Sequence, residues 1–123
     1  MIIERTRKTP YVSFDVEKGM LEITGSLLST DSQGFFEGLF TFARDYIKTQ
    51  PQKTVLKFTI EYFNTSSSKL LLNLLVQFEE LLTMGKDVYL EWHYEEDDLD
   101  MYDAGKTYEA SIKIPTQLIP FEE

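Results

Sequence analysis

The sequence predicts a single α/β domain: a mixed sheet of about five strands, two long helices packed mainly on one face, and a short third helix. Two observations lead there. Stretches of strand-like alternation and stretches of helical spacing succeed one another after an opening hairpin, with no linker, repeat or low-complexity run between them. The 123 residues are 42% hydrophobic, with 9 Phe, 7 Tyr and 1 Trp, enough for a core with no cysteine to staple it.

Residues 1–10 are polar and end in Pro10, so they read as a flexible N-terminal arm, leaving 11–123 as the domain. From Tyr11 to Glu17 the residues alternate, Lys18 and Gly19 supply a turn, and Met20 to Thr24 alternate again, which is a β-hairpin. Gly25 and the polar run 26–32 are expected to break the strand, with Ser29, Thr30, Asp31 and Ser32 all able to cap a helix. Phe35, Phe36, Leu39, Phe40, Ala43, Tyr46 and Ile47 then recur at spacings of three and four, and the helix should stop near Thr49, before Pro51.

Lys53 to Phe63 is β-branched and aromatic, a long strand at least half buried. After the polar knot 64–68, Leu70, Leu71, Leu74, Leu75, Phe78, Leu81 and Leu82 mark a second helix that Gly85 closes. Asp87 to Tyr94 is a strand with Val88, Leu90, Trp92 and Tyr94 on one face. A short helix over 97–109 follows, with Leu99, Tyr102 and Ala110 expected to pack. The chain closes on an extended piece from Ser111, made an edge strand by its prolines.

Charge narrows the partners. With 21 acidic against 12 basic residues the net charge is −9, which disfavours nucleic acid and anionic membrane surfaces. No run reaches the roughly 18 apolar residues of a membrane span and no apolar signal segment opens the sequence, so the expected location is the cytoplasm. The glycines form no phosphate-cradling loop, no metal-ligand spacing is present, and no cofactor is implied. His93, the only histidine, could work as an acid–base pair with Glu91 or Glu95, but a lone histidine is more often structural. The acidic run 95–103 reads as a solvated face suited to a basic partner.

The knot Asn64, Thr65, Ser66, Ser67, Ser68 is the most informative segment. It lies where a buried strand hands over to an apolar helix, at the positive end of a helix dipole, and it carries no charge. One hydroxyl suffices for a cap, and here four stand in a row. A phosphoryl group there would add nearly two negative charges to a neutral surface.

Together with the strand end Trp92-His93-Tyr94, this knot resembles the SiaC family of bacterial regulatory phosphoproteins, and the likeness extends to the element order and to Gly25-Ser26. The resemblance implies a non-catalytic partner switch with a fold of STAS-like general character. It implies Thr65 as the phosphoacceptor, with Asn64, Ser66 and Ser67 flanking it, Ser66 and Ser67 capping the helix, and Trp92, His93 and Tyr94 as the second motif, in contact with partners. The implied partners are a dedicated kinase, a metal-dependent phosphatase and a GGDEF-type diguanylate cyclase that the unphosphorylated form activates, a circuit that controls cyclic di-GMP and biofilm formation. A STAS-like anti-sigma-factor antagonist or a constitutive adaptor is the alternative.

Overall fold

The computed structural model describes residues 1–122. In chain order it contains β1 (Ile2–Ile3), β2 (Tyr11–Asp15), β3 (Met20–Leu27), α1 (Ser32–Lys48), β4 (Lys53–Phe63), α2 (Thr65–Thr83), β5 (Asp87–Glu95), α3 (Leu99–Ser111) and β6 (Thr116–Phe121). The strands form one six-stranded sheet in sequence order, antiparallel from β1 to β3 and parallel from β3 to β6. The α/β class and mixed sheet are as expected, with one strand more.

That extra strand comes from residues 1–10. Ile2 and Ile3 pair with Ser13 and Val12, the amino terminus donates to the Phe14 carbonyl, and the Arg5 guanidinium donates twice to the Glu61 carboxylate at 2.8 and 2.7 Å. The segment expected as a flexible arm is thus tied to the sheet at three places. Two adjacent apolar residues suffice for a short edge strand, a signal too brief to stand out in a polar decapeptide. Hydrogen bonds from Arg5 hold the Glu61 carboxyl below its ordinary range.

Each crossover from β3 onward steps to the next strand in the same direction, and crossovers of one hand that never reverse leave their helices on one face. Register builds the core beneath them: Leu21, Leu56 and Leu90 stand in one row across the sheet, and Ile23, Phe58 and Trp92 in the next. All six are buried, as are Phe36, Leu39, Ala43, Tyr46 and Ile47 of α1 and Leu71, Leu74, Leu75, Phe78 and Leu81 of α2. The sheet's other face carries Lys57, Tyr89, Glu91 and His93 and, among the described residues, has no helix over it.

Two further elements depart from expectation. β3 runs through Gly25 to Leu27, and a bulge between Gly25 and Ser26 absorbs the irregularity that was expected to end the strand. α3 spans 99–111 instead of 97–109, so Ser111 is helical and the last strand begins at Thr116, at the sheet edge. The apolar stripe of α3 is Met101, Gly105 and Tyr108, and Leu99, expected to pack, is 70% exposed. Gly105 sets this rotation, because a Cβ there would meet Trp92 Cδ1 at 2.5 Å, so the helix backbone lies against the indole.

Candidate functional site

In a parallel sheet the helix N-termini and the strand C-termini share one edge. Here that edge carries the loop 28–31 before α1, the knot at the start of α2, and the acidic residues 96–98 before α3. The knot therefore lies at the centre of the edge.

Asn64 caps α2. Its Oδ1 accepts from the Ser67 backbone N–H at 2.8 Å and from the Ser66 hydroxyl at 3.1 Å, while its Nδ2 donates to the Ser29 carbonyl at 3.3 Å. This corrects the expectation that Ser66 and Ser67 cap the helix. Asparagine is as good a cap as serine, and its extended backbone at the strand end aims the amide at the first turn. Asp31 fills the same role for α1 by accepting from the Gly34 N–H at 3.1 Å.

The hydroxyls then divide. Ser67 is buried, and its Oγ lies 2.7 Å from the buried Ser32 Oγ of α1. The Ser32 hydroxyl already gives its one proton to the Ser29 carbonyl, so Ser67 is the donor of the pair. Ser66 gives its proton to Asn64, and Ser68 gives its own to the Thr65 carbonyl at 2.7 Å. Thr65 is exposed at the first position of α2, and among the described residues no partner holds its hydroxyl. Of the four, only Thr65 offers a solvent-facing hydroxyl with no bond to break.

The Ser32–Ser67 contact staples the N-termini of α1 and α2 together. Ser67→Ala leaves Ser32 without a donor, and an expected loss of about 1–2 kcal/mol should be visible in urea unfolding as a lower midpoint with unchanged slope. A second tie comes from α3, where the Tyr108 hydroxyl donates to the Ser68 carbonyl at 2.9 Å. Burial holds Tyr108 well above the ordinary tyrosine range, so it stays a donor throughout the physiological range.

The second motif separates from the first. Trp92, expected at a partner surface, is fully buried, with its indole N–H on the Met101 carbonyl at 2.9 Å and its ring 5.2 Å from Tyr108. It is a core residue that seats α3. Ser67, assigned to the same kind of surface, is buried too. Tyr94 is half-buried, its ring 5.5 Å from that of Tyr102. His93 Nε2 lies 3.0 Å from Glu91 Oε1 on the sheet face opposite the helices, and the motif's link to the knot through α3 runs from the Trp92 ring to Tyr108 and its hydrogen bond to the Ser68 carbonyl. The groove on that face is lined by Glu91 and not by His93. Among the described residues no cluster of His, Asp and Glu could hold a metal ion, and no helix is long and apolar enough to cross a membrane.

Sequence reasoning missed Ser29, Ser32 and Tyr108 as parts of this site. Ser32 and Ser67 are 35 residues apart, and no local pattern marks such a pairing. Comparison with known proteins adds three structural likenesses. A chain in the crystal structure of the diguanylate cyclase SiaD in complex with its activator SiaC, from Pseudomonas aeruginosa, superposes with a TM-score of 0.92 at 23% identity, covering 98% of this chain and 99% of that one. The apo-SiaC crystal structure from the same organism gives 0.88 at 24% identity, over 97% of each chain. A further SiaC structure of Pseudomonas aeruginosa gives 0.86 at 23% identity, over 96% of this chain and 97% of that one. A curated Pseudomonas aeruginosa protein, itself named as uncharacterized, is 23% identical over 121 residues, 98% of this chain and 96% of its own length. The family described as the SiaC family regulatory phosphoprotein matches residues 3–121, so the chain belongs to the SiaC family of regulatory phosphoproteins.

Proposed function

We propose that this chain is a cytoplasmic partner switch with no catalysis of its own, in which phosphorylation of Thr65 decides whether a GGDEF-type diguanylate cyclase is bound and activated. A dedicated kinase adds the phosphate and a metal-dependent phosphatase removes it, so that cyclic di-GMP synthesis, and with it biofilm formation, follows the unphosphorylated form. One observation carries the choice of residue: Thr65 alone among the four hydroxyls of the knot is exposed with its hydroxyl unpartnered. The solved complex of SiaC with SiaD supports the class of partner.

The physical basis is desolvation. A partner that covers Thr65 buries a neutral hydroxyl at little cost, whereas covering an unpaired phosphate dianion costs several kcal/mol. Thr65→Ala is therefore expected to keep cyclase binding and to take no label from the kinase and ATP, while Thr65→Glu weakens binding. Pull-down with a cyclase from the same genome reads the first result. Capture of an anti-sigma factor in its place would select the STAS-like alternative, and a Thr65→Ala chain that labels as well as the parent would sink the assignment.

A further inference from the structure

We infer that Lys69 reads the phosphorylation state of Thr65: in the unmodified chain it guards an apolar slot that takes a bulky side chain and neighbouring carboxylate of the partner, and a phosphate on Thr65 captures it. This rests on the Thr65 reading above and supplies its mechanism.

The slot opens between α2 and α3, has a volume of about 270 Å³, and is walled by Phe63, Leu72, Ala104 and Tyr108. The Phe63 and Tyr108 rings meet edge to face at 6.3 Å and form its floor. It is smaller than the roughly 300–1,000 Å³ of small-molecule sites and suits one anchoring side chain of a protein partner. Among the described residues Lys69 is the only charged one lining it. It is exposed, and among the described residues it forms no ion pair, although the chain has nine more acidic than basic groups. An unpaired ammonium at the rim of an apolar slot, on a surface that repels acids elsewhere, favours an occupant with a carboxylate beside its apolar anchor.

Thr65 and Lys69 are four residues apart on α2, so their Cβ atoms are neighbours about 5–6 Å apart, with the anion on the N-terminal side, the favourable order. Leu72, seven residues after Thr65, continues the same face into the slot. A phosphate on Thr65 would pair with Lys69 in cis and turn the local charge from +1 to about −1. The partner's carboxylate would then meet repulsion where it had met attraction.

Two measurements on the full chain test this. With phosphothreonine installed at position 65 by genetic encoding, phosphorus NMR should place the second phosphate pKa about 0.2–0.4 unit lower in the parent than in Lys69→Gln. Coincident titrations would overturn the capture. In calorimetric titration of the unmodified chain with the cyclase, Lys69→Glu and Thr107→Trp, the latter placing a bulky ring in the slot from an exposed position, should each weaken binding by at least about tenfold. Parent-like binding by both, or no binding by the parent itself, would overturn the slot and its occupant. Since the phosphothreonine is encoded and needs no kinase, a kinase that labels another residue would defeat the Thr65 reading and leave the titration result standing.

Discussion

Trp92→Ala is expected to lower the unfolding free energy by about 3–5 kcal/mol, the largest loss of any single substitution considered for this chain. Stability of a domain this size is about 5–15 kcal/mol in total, so the variant forfeits a large share of it. The indole is fully buried in the row with Ile23 and Phe58, and its N–H joins β5 to the Met101 carbonyl of α3. Gly105→Ala tests the same contact from the other side. Its Cβ would overlap Trp92 and the Leu118 Cδ2 atom, so although Ala is the better helix former by about 1 kcal/mol, overpacking of about 1–3 kcal/mol should win. Both variants should lower the urea midpoint. In Trp92→Ala, amide exchange should quicken first in α3, because the other two helices keep their own seats on the sheet.

Phosphate on Thr65 is expected to weaken cyclase binding by about a hundredfold or more, which corresponds to about 2.7 kcal/mol. That is a modest share of what burying a dianion costs, since pairing with Lys69 in cis offsets part of it and the partner can relax around the phosphate. The effect should be specific to binding. Thr65 is exposed at the positive end of α2, where added negative charge is favourable, so the phosphorylated chain should unfold at the same urea midpoint or slightly above it. Calorimetric titration of both forms with the cyclase measures the first effect, and denaturation measures the second.

Most of the fold was legible because its signals are local. The apolar spacing of α1 and α2, the alternation of β4 and β5 and the glycine that closes α2, at φ +78°, each act within one element. The misreadings arose where distant residues decide. Leu99 looked like a packing residue from its own neighbourhood, and only the seating of Gly105 on Trp92, thirteen positions earlier, turns it outward. The family resemblance alone assigns Trp92 to a partner surface; alternation already sets it on the face of Val88 and Leu90, and register across β4 places it in the core. At the knot, sequence showed four hydroxyls in a neutral junction, and tertiary structure distinguished them. Ser67 is taken by Ser32, a residue of another helix, and Asn64 takes the cap assigned to its neighbours. Ile2 and Ile3 were hidden in a polar segment whose pairing depends on an edge that the hairpin creates.

Direct mapping of the phosphate tests the central claim. After reaction of the purified chain with its cognate kinase and ATP, peptide mass spectrometry with fragmentation is predicted to place a single phosphate on Thr65, with Ser66, Ser67 and Ser68 unmodified. A phosphate carried by any other residue would contradict the account.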